Sequence, residues 1–355
     1  MIMTFIFYIS VAIITSLLFT AYKRSENRFL RLIFSILTVS IPAIVAGYRY
    51  GIGTDYFTYL EILNGNFIRS DFEPIFELIV SFSRSMPNSS FVYFFMMNFI
   101  TNLFIFLGLK FYENKINTSF SVFLYLISFY LVSYNASRQL MGIAIVFYSF
   151  QYILRKDFIR FIFWTIIATM CHVTAIIILP FYFIINFRGL KKLSLDLKFL
   201  FIFILIFFVM LNLDLIVQFI TSLFLSNNYY ASYFVKDGLK NVSFLGIIRN
   251  LVLISLGIFL FGKRMYSLNE VKIFLLYCSG MIIDLSGSFY LNPTVQRAAF
   301  PLSISYLVYV PILLKKANDR NEKIIKIFII TYILMEYTFD YFIMGYNNVV
   351  PYRWN

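Results

Sequence analysis

The chain has 355 residues, 61% of them hydrophobic and 21% aromatic, with a mean hydropathy of +0.81. Only 13% are charged, against about 25% in a typical soluble domain, so the chain cannot cover itself with a solvated surface. The net charge of +13 falls in short clusters between apolar runs, a pattern that excludes a nucleic-acid surface and points to membrane topology.

A helix that crosses the hydrocarbon core needs about 20 apolar residues. In chain order the candidate spans are 3–22, 29–47, 91–112, 119–134, 138–154, 158–171, 173–187, 199–220, 244–262, 270–290, 299–314 and 324–342. They predict an all-α fold, a polytopic integral membrane protein of about 12 transmembrane helices in a single domain, 1–355. The first run, Met1 to Tyr22, has neither a basic leader nor an A-x-A cleavage site and reads as a retained helix. The stretch 158–187 is too long for one span and short for two, with His172 near its middle. A helical hairpin or two broken helices fit it, if the irregular backbone is enclosed by protein or lines a cavity. Cys171 and Cys278 lie in apolar runs and read as small buried hydrophobes.

Basic residues set the orientation. Clusters around Lys23–Arg31, Lys110–Lys115, Arg155–Arg160, Arg188–Lys198, Lys263–Lys272 and Lys315–Lys326 hold more than two thirds of the 30 Lys and Arg. With twelve spans they all fall on one side, which is then cytoplasmic, with both termini outside. That scheme requires 158–187 to return to the cytoplasmic side. Two outer loops are long, about 48–90 and 221–243. The first contains GIGTDY and then DFEPIFELIVSF, which reads as a short amphipathic or re-entrant helix. The second carries Tyr229, Tyr230 and Tyr233, which suit an interfacial belt. Loops of this length are commonly functional.

The polar residues near spans gather toward the outer side, where each needs a partner or an aqueous cavity. Arg49 and Asp55 flank the outer end of the second span, and Asn135, Arg138 and Gln139 occupy the turn before the fifth. A helical turn there would put that trio on one face. His172 sits at the apex of 158–187, Asp284 lies in the tenth span, Arg297 stands between Pro293 and Pro301, and Glu336 and Asp340 lie in the last span. Plainer roles stand beside functional ones. Arg49 and Arg297 can snorkel to headgroups, Asp55 can cap a helix, His172 can bridge packed helices, and Glu73 with Glu77 can form a solvated face. Arginines suit phosphate or diphosphate, aromatics with Asn and Gln suit sugars, and an acid among them suits proton removal from a hydroxyl. Together these fit a lipid diphosphate-linked sugar. The chain has no P-loop, HExxH or GxSxG motif. Its single histidine precludes a multi-histidine metal site, so no metal and no cofactor is expected.

The run Arg49-Tyr50-Gly51-x-Gly53-Thr54-Asp55-Tyr56-x-x-Tyr59 resembles the signature of the EpsG family of bacterial polysaccharide polymerases, relatives of the Wzy type. Glu73-Pro74, Asn135-x-x-Arg138-Gln139, His172-x-Thr174-Ala175, Arg297 and Pro351-Tyr352 resemble further family motifs in the same order, so the resemblance covers almost the whole chain. Threonine stands where the family usually has serine after the histidine, which keeps the hydroxyl. The resemblance implies a GT-C-like membrane glycosyltransferase of the bacterial cytoplasmic membrane, acting at its outer face on undecaprenyl-diphosphate-linked oligosaccharide repeat units as donor and acceptor. A chain-length regulator protein is a further family expectation. On this reading Arg138 and Arg297 stabilise the departing diphosphate with Arg49 assisting, Asp55 serves as base or positions the acceptor, and His172 takes either role. Tyr56, Tyr59, Asn135 and Gln139 contact substrate. The alternatives are a membrane acyltransferase and a flippase for lipid-linked oligosaccharides.

Overall fold

The computed structural model describes residues 1–66, 72–187, 244–261, 267–289, 293–319 and 322–354. The apolar runs fold as helices, and no β-strand occurs among the described residues. In order these are α1 (Ile2–Arg24), α2 (Arg28–Gly47), α3 (Tyr56–Leu63), α4 (Pro74–Arg84), α5 (Ser89–Lys110), α6 (Thr118–Ser128), α7 (Ser137–Arg155), α8 (Phe158–Cys171) and α9 (Leu179–Asn186). They continue as α10 (Phe244–Phe261), α11 (Leu268–Phe289), α12 (Pro293–Ala298), α13 (Phe300–Ser303), α14 (Tyr306–Asp319) and α15 (Lys323–Thr338). The span expected at 199–220, the outer loop 221–243 and the basic cluster 188–198 lie outside the described residues.

The chain forms two compact units, one of Met1–Ile176 with Val310–Asn355 and one of Ile177–Tyr309. In the first, α1, α2, α5, α6, α7 and α8 make the bundle. Short polar residues start its helices. The side chain of Asn27 accepts from the amides of Phe29 and Leu30, Asn117 from Phe120, and Asp157 from Arg160, each satisfying donors that an N-terminus leaves bare. Side chains of neighbouring segments reach the carbonyls of α2, which carries Pro42 in its interior. Asn102 donates to Val39, Tyr130 to Pro42 and Tyr352 to Val45. In apolar surroundings such bonds tie helices together where burial of apolar surface contributes little.

Contacts along the helices define two ends of this unit. Gly47 of α2 faces Phe91 and Phe95 of α5, Tyr93 bonds Ser137, and the start of α1 meets the C-terminal segment through Tyr8 and Val349. At the other end Thr20 bonds Ser119, Arg31 pairs with Glu113, and Lys315 donates to the Lys115 carbonyl. The basic residues of the α1–α2, α5–α6, α7–α8 and α14–α15 connections therefore share one end. The polar segments around Arg49–Tyr59, Asn135 and Pro351 share the opposite one.

The segment 74–84 is the short amphipathic helix expected. It buries Phe76, Ile79, Val80 and Ser83 and leaves Leu78 and Phe82 exposed. Arg84 at its last turn donates to the carbonyls of Ile62 and Leu63 and so closes the end of α3. The 158–187 stretch breaks at His172, whose backbone is extended (φ −162°, ψ 129°), and continues as a 3-10 turn, Val173–Ile178, before α9. Two expected spans are shorter or broken. The one at 119–134 ends as α-helix at Ser128 and resumes as the 3-10 turn Val132–Tyr134, while 299–314 falls across α13 and α14.

In the second unit α9, α10, α12 and α13 all pack on α11. Lys272, counted among the basic residues of a connection, is buried, and its Nζ donates to Asn186 Oδ1 at 2.7 Å. Gly280 of α11 lets the backbone of Ser303 approach, since a Cβ there would lie 2.7 Å from the Ser303 nitrogen. Among the described residues three helices, α1, α2 and α5, are long and apolar enough to cross a membrane. A fourth span results if Gln296–Ser303 and Tyr306–Asn318 count as one.

Candidate active site

The end of the first unit opposite its basic connections is where most of the singled-out residues meet. The chain leaves α2 at Tyr48, and Arg49 turns inward. Its side chain is wholly buried, its Nη2 donates to the Tyr134 carbonyl at 3.0 Å, and its guanidinium lies 4.1 Å and 4.2 Å from the ring centres of Phe94 and Tyr134. Burial pushes this guanidinium down from its ordinary value. Its Nε and Nη1 make no hydrogen bond among the described residues, so the two rings carry much of its stabilisation.

GIGTDY then makes a tight passage. Gly53 adopts φ +101°, and a Cβ there would lie 2.6 Å from Asn135 Oδ1 and 2.9 Å from the Tyr134 carbonyl. Only glycine fits such a conformation in such a space. Tyr56 is buried and stacked on Phe94, and Tyr59 is buried and donates to the Asn135 carbonyl at 3.0 Å. Asp55 starts α3 without a side-chain cap, and its Oδ1 accepts from the Thr54 hydroxyl. It stands half-buried at the edge of this group.

The Asn135/Arg138/Gln139 trio is not one helical face. The helix begins at Ser137, so Asn135 precedes it (φ −104°, ψ −61°) and points another way. Its Nδ2 donates to Asn347 Oδ1 at 2.7 Å, in the segment that follows α15. That segment closes one side of the site. Asn348 accepts from the Gly53 amide, Arg353 accepts from the Tyr50 amide, and Arg49 and Trp354 form an isolated antiparallel bridge.

Arg138, on the first turn of α7, points toward Glu73. Nη1 and Oε2 are 2.8 Å apart, with side-chain exposures of 19% and 10%, and the rings of Phe72 and Phe76 flank the guanidinium. Burial pushes the Glu73 carboxyl up. The charges of His172 and Arg138 outweigh that, so the net direction is down. From the next position on α7, Gln139 Nε2 donates to Thr174 Oγ1 at 3.2 Å, and that hydroxyl lies 2.8 Å from His172 Nδ1. The Thr174 amide also donates to Nδ1, at 3.3 Å. A backbone amide can only donate, so whenever the ring is uncharged Nδ1 accepts and Nε2 carries the proton, and protonation of the ring in acid gives this bond up. Gly142 brings this break against α7, because a Cβ there would lie 2.9 Å from the Ala168 carbonyl.

The structure thus pairs Arg138 with Glu73 and links Gln139 to His172 through Thr174. It joins Arg49, Tyr59 and Asn135 around Gly53 and the C-terminal segment. Arg297 is exposed in the second unit. Glu73, read from sequence beside Glu77 as a solvated face, is instead the half-buried counter-ion of Arg138. Its one sequence signal was the Glu-Pro step, since proline at the first helical position leaves the preceding residue at the helix entrance. Among the described residues no group of His, Cys, Asp and Glu could hold a metal ion.

Apolar helices of spanning length, with a half-buried cation–carboxylate pair at one end of the first unit, are the features of a membrane protein. The EpsG family model matches residues 31–354, and the chain belongs to that family, whose members are Wzy-type polysaccharide polymerases. Among curated proteins and solved structures none matches the chain.

Proposed function

We propose that this chain is a polysaccharide polymerase that joins undecaprenyl-diphosphate-linked repeat units by glycosyl transfer at the outer face of the cytoplasmic membrane. On this reading it has about twelve spans in a GT-C-like arrangement, both termini are outside, and 221–243 is a second outer loop. Family membership supports the class of reaction. The observation that carries the site is the Arg138–Glu73 pair, 2.8 Å long.

The reaction needs three things from the protein. Negative charge builds on the departing diphosphate, so fixed donors there lower the barrier most. Arg138 is planar and doubly donating, which suits a diphosphate, and the Nε2–H of His172 adds a second donor. Arg297 keeps the substrate-binding role that the family resemblance implies for it, and Arg49 acts by fixing the Tyr134 carbonyl and with it the turn that leads into α7. The acceptor hydroxyl must lose a proton as its oxygen bonds the anomeric carbon. When the diphosphate takes Arg138, the carboxylate of Glu73 is released from its cation, becomes more basic, and can accept that proton. Asp55, at the edge, positions the acceptor sugar together with the aromatic residues of α3. The leaving diphosphate is already a good leaving group, so no general acid is required. A chain-length regulator belongs with this reading as a partner outside the bilayer domain.

The test is a deletion strain complemented at matched membrane expression, read as a gel profile of surface polysaccharide. Deletion should leave single repeat units, wild type should restore the ladder, and Arg138→Ala should not, with polymer yield down by about 100-fold or more, the scale of losing one such donor. An intact ladder with altered acylation in the deletion strain would replace the polymerase with a modifying enzyme. A full ladder from Arg138→Ala would remove Arg138 from the site.

A further inference from the structure

At the basic end of the first unit, a cavity of about 510 Å³ opens between the α5–α6 connection and the α14–α15 pair. It lies roughly 30 Å from the Arg138 cluster, the rise of one 22-residue helix. Lys115, Lys315, Lys326 and Asn318 line it together with the apolar Phe120 and Leu314. Lys315 Nζ is steered by the Lys115 carbonyl, to which it donates at 3.2 Å. Glu113 also lines the cavity. Arg31 approaches its Oε1 at 3.7 Å, while its Oε2 is buried and accepts no hydrogen bond among the described residues.

Three properties must therefore coexist in an occupant. It carries a phosphate, for the ammonium groups. It carries a hydroxyl or ammonium donor, for the buried Glu113 oxygen. It carries an apolar part, for Phe120 and Leu314. We infer that this cavity binds the headgroup of a glycerophospholipid, with the phosphate at Lys315 and Lys326, the headgroup donor at Glu113 and the first acyl carbons against Phe120. Basic pockets between helix ends at headgroup depth are suited to that chemistry. The inference rests on the membrane reading alone and is independent of glycosyl transfer.

Native mass spectrometry of the full chain in detergent tests it, with phosphatidylglycerol as one probe and glycerol 1-phosphate as the other. Wild type should keep phosphatidylglycerol through delipidation and bind it well above glycerol 1-phosphate. Lys315→Gln with Lys326→Gln should weaken lipid binding roughly 30-fold, the effect of two surface charges. Asn318→Trp, which fills the cavity and keeps every lysine, should exclude the lipid as well. Melting temperatures in lipid-free detergent identify any variant that fails to fold, and the other variant then decides. Equal lipid retention by wild type and a folded variant overturns the site. Equal affinity for glycerol 1-phosphate overturns the lipid and makes the occupant a soluble phosphate ester.

Discussion

The charges at the Arg138 cluster are few and each is committed to a neighbour. Glu73 is the residue on which this arrangement turns, because its removal strands a guanidinium that is only 19% exposed. Glu73→Gln should lower stability by about 1–3 kcal/mol, below the cost of a fully buried pair because solvent still reaches the cation, and should cut polymer yield more than the melting temperature suggests. The pH dependence has a definite sign. The folded carboxyl is held below its ordinary value, so the pair's contribution is complete above the unfolded carboxylate range and is lost as pH falls through the lowered folded value. A melting temperature flat between about pH 6 and 8 and falling only in acid is expected for wild type, with the acid limb shallower in Glu73→Gln. An unchanged acid limb in the variant would remove Glu73 as the group responsible. Little of this was legible in sequence. Arg138 and His172 stood out as costly residues near spans, but the partner of Arg138 lies 65 positions away. A pairing across such a distance leaves no local periodicity to read.

At the scale of elements the sequence was more informative. The starts and ends of α1, α2, α5, α7 and α8 follow the apolar runs closely, because a charge or a capping Asn or Asp stops or starts each one. The break at His172 was foreseen from length alone. The expected helical face at 135–139 failed because α7 starts two residues late, a boundary set by tertiary contacts to Asn347 and Gly53 rather than by propensity. Two glycines bind these elements together. Gly53→Ala should be severe, since it combines a positive φ with a Cβ 2.9 Å from a carbonyl. It should cost about 2 kcal/mol or more and should displace Asn135 and the C-terminal segment. Thermal melting and polymer yield should both fall, and a variant that melts like wild type and polymerises normally would show that the passage at GIGTDY is not tight. Gly142→Val should act differently. It would push α8 from α7, shift His172, and depress yield with a smaller loss of melting temperature.

At the largest scale the first unit is asymmetric along its helices, with basic connections at one end and the Arg138 cluster at the other. Positive charge retained on the cytoplasmic side makes this a topological statement. Cys171 and Cys278 are both buried, so an introduced cysteine can be labelled against the native background. Thr58→Cys, exposed on α3, should react with an impermeant thiol reagent in intact cells. Glu26→Cys, exposed between α1 and α2, should react only after permeabilisation. The reverse result would invert the orientation and place the cluster inside. The amphiphile cavity at the basic end and the cluster at the far end would then trade leaflets.

One further consequence follows from the strap of residues 345–354. Tyr8, Val45, Tyr50, Gly53 and Asn135 all bond to it, and the link from Tyr352 back to Val45 spans 307 positions. A ribosome adding about 5–20 residues each second needs roughly 15–60 seconds to travel from one partner to the other. Through that interval the helices enter the bilayer with one wall of the Arg49–Asn135 group missing. Timing is thereby written into the connectivity: the contacts that complete this end of the first unit form only after the last residues have been made.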